Sequence, residues 1–199
     1  YVYPWVDLQE NGKLKSLYSG RGMDPIAVIE EDIWLLENME RENIPRLSDK
    51  MILNCEHVVP QSWFHKQEPM RGDLHHLFAC EPTCNSRRGN HPYYDFPDYV
   101  PENHLSGIKE GCGKADAGKF EPEYGKGIVS RATLYFLTRY QGMINNDFVN
   151  LAILLKWHDE FPVSLYEKHR NLAIFELQGN RNPFIDFPEM AEKLFWRYY

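Results

Sequence analysis

The sequence predicts a mixed α+β fold: a small two-stranded hairpin followed by a short helix, enclosed by longer helices. Three observations point there. Met51-Ile52-Leu53 leads into Glu56-His57-Val58-Val59 as a short apolar run, and Pro60, which has no N–H to donate, ends its pairing. Leu74, Leu77 and Phe78 suggest a partner strand, with Gly72 and Asp73 at the preceding turn. On either side of this middle section, apolar residues recur at helical spacing.

In chain order, residues 1–23 carry Tyr1, Tyr3, Trp5, Tyr18 and several glycines and read as an irregular or short-stranded lead-in. Asp24 as cap and Pro25 in the first turn start a helix that runs to about Glu42. Its predicted apolar stripe is Ile26, Ile29, Ile33 and Leu36, widened by Trp34 and Met39, with the glutamates on a solvated face. Residues 43–50 form a polar connector, and the hairpin follows. Thr83 is placed to cap a short helix through Asn85 and Arg88, stopped by Pro92. Residues 91–127 are rich in Gly, Pro, Asp and Lys and show little periodicity, which predicts a long loop. Such a loop can wall a substrate cleft, with Cys112 as its tether.

The last third is helical. One helix runs from Gly127-Ile128 to Tyr140, with Ile128, Ala132, Tyr135, Phe136 and Leu137 on its apolar side and Gly142 as its stop. Asp147 is placed to cap a second through Trp157 and His158. Pro162 opens a third that Gly179 ends, and Pro188 opens a fourth that carries Phe195 and Trp196. With 199 residues the chain fits one domain, 1–199: a hairpin–helix element at about 51–92, the loop region 91–127 and a helical part 128–199.

Composition sets limits. No apolar run approaches membrane-spanning length. Tyr1-Val2-Tyr3-Pro4-Trp5 lacks the charged start and apolar middle of a signal peptide, as expected of an exported chain after processing. The 29 acidic residues exceed the 22 basic ones, for a net charge of −7, which argues mildly against nucleic acid as a partner. The excess is local, however: Glu30, Glu31, Asp32, Glu37, Glu40 and Glu42 crowd one segment, while the middle carries Lys66, Arg71, Arg87, Arg88 and further lysines. The four cysteines (Cys55, Cys80, Cys84, Cys112) suggest two disulfides in an exported protein, with a four-thiolate zinc site or free buried thiols as the alternatives.

The chemistry concentrates in residues 54–90, NCEHVVPQSWFHKQEPMRGDLHHLFACEPTCNSRRGN. Carboxylate, imidazole, carboxamide and guanidinium within one short stretch are what metal-assisted cleavage of a phosphodiester needs: an activated water, charge stabilisation on phosphoryl oxygens and help for the leaving oxygen. His57 suits the general base, since a neutral imidazole takes a proton near pH 7. Glu56 and Asn85 offer oxygen to a hard cation. Adjacent strand residues point to opposite faces, so Glu56 and His57 must be splayed around the metal and water or sit at a distorted strand end. Arg88 is the first candidate phosphate clamp, with Arg71 and Arg87 behind it, because the guanidinium fork binds two oxygens at once. Asp73, His75 and His76 either orient His57 or satisfy strand ends.

EHVVPQSW, DLHHL and CNSRRGN, together with GNRNPFIDFP and KGIVSRATLYFLTRY, resemble the endonuclease I family of secreted bacterial nucleases, in order across most of residues 50–188. The phrases QSWFHKQEPMRGDLHHLFACEPTCN and LYEKHRN are similar to Bacillus-type extracellular ribonucleases and deoxyribonucleases. The resemblance implies a ββα-metal (His-Me finger) core, His57 as base, Glu56 and Asn85 as metal ligands, and 5′-phosphate product ends. It also implies one divalent cation, Mg2+ before Ca2+ or Mn2+, and a secreted monomer acting on DNA and RNA. The loop that carries the family's catalytic arginine is shorter in this sequence, and no arginine aligns with it. Arg181 and Asn182 resemble family residues too, although a polar turn before Pro183 also explains them. The rival reading is a non-enzymatic, zinc-stabilised nucleic-acid-binding module built on the cysteine quartet; a phosphatase of small esters is a weaker one.

Overall fold

The computed structural model describes residues 3–38, 52–100 and 111–198. The end of the first long helix, the 43–50 connector and residues 101–110 of the predicted loop lie outside the described residues.

At the centre is the antiparallel pair β3 (Asn54–His57) and β4 (Leu77–Cys80), in the register Asn54↔Cys80, Glu56↔Phe78 and His57↔Leu77. The helix α3 (Pro82–Arg88) follows β4 directly. Its start is set by Pro82 in the first turn after Glu81, not by Thr83, and its end by Gly89 at φ 54°, before Pro92 is reached. Val58, Phe78, Cys80 and Cys84 pack with Tyr18, Phe120, Val129 and Trp157 in one buried cluster. The hairpin and helix are thus held by the lead-in on one side and by the C-terminal helices on the other.

The lead-in contains α1 (Tyr3–Val6) and a two-stranded pair, β1 (Leu14–Lys15) with β2 (Gly22–Met23). Asp24 caps α2 (Pro25–Asn38) as expected, accepting the N–H groups of Ile26 and Ala27 at 2.8 and 3.3 Å. The expected apolar stripe is corrected. Val28 and Leu35 are the buried residues of α2, while Ile26, Ile33, Trp34 and Leu36 are exposed. The inward face is chosen by Leu14, Met23 and Leu53, which meet Val28, and by Glu31, which turns in to accept the N–H of Ile52 at 2.6 Å.

The region 91–127 is not structureless. β5 (Gly113–Asp116) and β6 (Lys119–Pro122) form an antiparallel hairpin whose Ala117-Gly118 turn has two positive φ angles. Strands this short carry too few alternations to register as a pattern. Gly113 is obligatory, because a Cβ there would sit 2.1 Å from the Glu121 carbonyl oxygen. Cys112 does tether the region: it forms a disulfide with Cys84 on α3. The expectation of a second disulfide is corrected, since Cys55 and Cys80 are free. Cys55 stands opposite Ala79, and Cys80 stands opposite Asn54, so the two thiols point to opposite faces of the hairpin and cannot meet. With Cys84 and Cys112 bonded to each other, the four-thiolate zinc site is not formed. The bond closes a 28-residue separation. Cys112→Ser is expected to lower the unfolding free energy in urea by about 3 kcal/mol relative to the oxidised wild type.

α4 (Lys126–Arg139) is buried along almost its whole length, not on one stripe, because α5 (Leu151–Glu160), the hairpin and α6 (Leu165–Gln178) surround it. Its polar residues are paired: Arg131 meets Glu167 at 2.6 Å, and Ser130 donates to the Leu154 carbonyl at 2.5 Å. Asn150, not Asp147, caps α5. Ser164 and Glu167 form a capping box at the start of α6, a signal that outweighs Pro162, and Gly179 ends the helix as expected. The expected last helix is α8 (Met190–Phe195), beginning two residues after Pro188; a short helix that was not expected, α7 (Pro183–Asp186), capped by Asn182, precedes it. Arg181 pairs with Asp186 at 2.6 Å, so Arg181 and Asn182 serve the turn.

Candidate active site

The alternation of β3 sorts its side chains. Asn54 and Glu56 share the face on which α3 lies, and Cys55 and His57 share the other. The Nδ2 of Asn85 donates to Asn54 Oδ1 at 2.8 Å and to the Cys55 carbonyl at 3.2 Å. Since that carbonyl only accepts, nitrogen must be the amide atom that faces it, and Oδ1 is left as an oxygen donor not engaged by the strand. Glu56 lies two residues from Asn54 on the same face. Strand and helix thereby bring one carboxylate and one amide oxygen to the same side, a donor set that suits a hard, partly hydrated cation. Among the described residues, no three His, Cys, Asp or Glu side chains cluster as a metal site of their own.

Glu56 is 3% exposed. The Tyr18 hydroxyl donates to its Oε1 at 2.6 Å, and Arg88 Nε stands 3.6 Å from the same atom. Tyr93 extends this network, its hydroxyl 2.8 Å from that of Tyr18. Burial pushes the Glu56 carboxyl up to about 7, against the opposing pull of Arg88 and Tyr18. A cation bound there would favour the ionised form.

Arg88 corrects the first expectation for a phosphate clamp. Its side chain is 0% exposed, its Nη2 donates to the Val58 carbonyl at 2.8 Å, and its Nη1 donates to the Gly89 carbonyl at 2.9 Å. Its guanidinium carbon lies 4.8 Å from the Tyr93 ring centroid. A guanidinium so enclosed holds Glu56 and the end of β3 and does not meet a phosphate in solvent. Arg71 and Arg87 are exposed, and Arg71 pairs with Glu68 at 2.9 Å.

His57 sits beside Arg71. Its Nε2 is 3.0 Å from the Arg71 carbonyl, which only accepts, so Nε2 carries the proton and Nδ1 holds the lone pair. The Gln61 amide Nε2 lies 3.2 Å from that Nδ1. Burial lowers the His57 pKa below its ordinary value, so the ring is neutral at pH 7. Of the three polar residues expected behind it, only His76 meets it, ring to ring at 5.5 Å and edge-on. Asp73 accepts from Tyr135 and Tyr140 at 2.7 Å each and from Gln178 at 2.8 Å, and His75 meets the Asn180 carbonyl at 3.1 Å. These two tie the hairpin to α4 and α6.

Sequence reasoning did not identify Tyr18, Tyr93, Asn54 or Gln61. Only Gln61 has a local signal, four residues after His57 in the same motif; Tyr18 reaches Glu56 from 38 residues away in the chain, and Tyr93 reaches Tyr18 from 75 residues away.

Burial pushes His75 and His76 down to about 4. Each is neutral in the fold and must charge on unfolding below its ordinary pKa. Their contribution is therefore complete above about pH 6.5 and is lost as pH falls toward 4. One such histidine is worth on the order of 3 kcal/mol over that window. His75→Phe is expected to flatten the fall of the urea midpoint between pH 7 and pH 4.5; a slope identical to that of the wild type would contradict the assignment.

The family model for Endonuclease I matches residues 6–189. The chain is 34% identical over 139 residues to an extracellular ribonuclease of Bacillus amyloliquefaciens, a match covering 61% of this chain and 46% of that protein. It is 33% identical over 160 residues to an extracellular ribonuclease of Bacillus subtilis, covering 71% of this chain and 53% of that protein. An extracellular deoxyribonuclease of Aeromonas hydrophila is 31% identical over 120 residues, covering 59% of this chain and 50% of that protein. The chain spans about half the length of the curated relatives it matches.

Proposed function

The chain belongs to the endonuclease I family, and on that footing we propose that it is an extracellular endonuclease that hydrolyses DNA and RNA with little sequence preference, using one divalent cation. The observation that carries the reading is His57: a neutral imidazole, turned by the Arg71 carbonyl so that Nδ1 is its basic atom, on a strand whose opposite face presents Glu56 and Asn54, the latter bonded to Asn85. In this reading β3, β4 and α3 form a ββα-metal element. The names of its relatives support both substrates and export: two are extracellular ribonucleases and a third is an extracellular deoxyribonuclease. Among the described residues, no helix is long and apolar enough to cross a membrane.

Glu56 and Asn85 would hold the cation, Mg2+ in first place. When bound, it stabilises charge on the phosphate and on the leaving oxygen. The protein's own residues do the rest. Nδ1 of His57 takes the proton of a water as its oxygen attacks phosphorus. Gln61 must yield its place at Nδ1 for that water to enter. The Arg71 carbonyl keeps the Nε2 proton and so fixes the tautomer through the transfer, while His76 backs the ring. The exposed guanidinium of Arg71 lies on the residue whose carbonyl orients the base, and this makes it the preferred phosphate contact over Arg88.

The cation assignment is tested by thermal unfolding. Mg2+ or Ca2+ is expected to raise the melting temperature of the wild type and to have a clearly smaller effect on Asn85→Ala and Glu56→Ala. A metal-induced shift equally large in both variants would place the cation elsewhere.

A further inference from the structure

A recess of about 780 Å3 opens between the loop after α3, the β5–β6 turn and the connection from α4 to α5. We propose that this recess is a subsite for one unpaired nucleotide of the substrate strand, so that the protein favours single-stranded nucleic acid over duplex; the inference rests on the nuclease reading and names its preferred substrate form.

Three observations converge on it. The first is position. Trp63 lies in the one-turn helix Gln61–Phe64, whose first residue reaches the Nδ1 of His57. Trp63 stacks on Phe148, with ring centroids 5.1 Å apart and planes 30° apart, and Phe148 is 39% exposed. Its chain neighbours Asp147 and Val149 line the recess. Tyr93, whose hydroxyl joins the Tyr18–Glu56 network, forms part of the wall. An aromatic rim therefore stands within a turn of the base, with the recess beside it.

The second is chemistry. Leu137, Ile144 and Leu151 give the recess an apolar lining, and Gln141 and Asn146 add exposed amides able to pair with base edges. The third is charge. Lys114, Lys126 and Lys156 are each paired with Asp98, Glu121 or Asp95. Lys119, at the mouth, lies 3.9 Å from the Tyr94 ring centroid and has no acidic partner among the described residues. In a chain of net charge −7, an unpaired cation beside an aromatic-rimmed recess matches a nucleotide: a ring to stack, edges to pair and a phosphate to neutralise. A base inside a duplex reaches such a recess only after unpairing and unstacking, and this cost sets the preference.

The test uses Tyr94→Ala, which removes an aromatic face that lines the recess, and Ala152→Trp, which fills the recess from an exposed position on α5. On a short single-stranded substrate, each is expected to raise KM about tenfold with kcat unchanged, the size of one lost base stack; on duplex DNA neither changes KM. Fluorescence anisotropy of the same labelled oligonucleotide, bound to His57→Ala protein in chelator, should show the same tenfold loss for both substitutions. Equal effects on single strands and duplex, or no effect on either, would overturn the subsite. A wild type that cleaves nothing would overturn the nuclease reading instead, and the anisotropy measurement would still decide whether the recess takes a nucleotide.

Discussion

His57→Ala is expected to lose roughly 10²–10⁴-fold in cleavage of both DNA and RNA, the usual contribution of a positioned general base. The substitution removes the only imidazole of the described residues whose basic nitrogen lies on the β3–β4 element and faces an amide that can give way to water. His76 cannot substitute, because it is fully buried and donates toward the Met70 carbonyl at 2.6 Å. His75 is turned to Asn180. Stability should change little, since the His57 side chain is half-buried and its two hydrogen bonds are to a carbonyl and an amide near the surface. Circular dichroism, the urea midpoint and oligonucleotide binding should all stay close to wild type. Cleavage within a few-fold of wild type would remove His57 from the base position.

Arg88→Met is expected to cost about 3–5 kcal/mol of unfolding free energy, because it leaves a buried carboxyl without its cation. The substitution also strands the Val58 and Gly89 carbonyls that Arg88 serves. Glu56, already raised to about 7 with Arg88 present, would rise further and be protonated at neutral pH, so cation-dependent activity should fall together with stability. Adding Glu56→Gln should recover much of the lost stability, though no activity, since the uncompensated group is then gone. Urea unfolding of the two single variants and the double variant forms the cycle that checks this. Additive losses would mean that the two side chains do not interact in the fold.

The placement of Glu56 and His57 on a strand and of Asn85 on the helix that follows its partner is legible in the sequence, because short-range signals define those elements. The role of Arg88 is not, because depth is a tertiary property. An arginine near a helix end reads as a surface cation until Tyr18, Tyr93 and Trp63 close around it. The same limit explains α2, where Glu31 faces inward and Ile33 outward because the β1–β2 pair chose the docking face. It also explains α4, whose apolar stripe described one wall of a helix enclosed on several. Caps were legible where the side chain acts on its own helix, as at Asp24, and were misplaced where two signals competed, as at Pro162 and Ser164.

Degradation of plasmid DNA and of RNA by the wild-type chain, with Mg2+ and with excess chelator, is the most direct test of metal-dependent phosphodiester hydrolysis. Cleavage of both polymers in Mg2+ and of neither in chelator is the expected result. Undiminished cleavage in chelator, or intact polymers under both conditions, would contradict it.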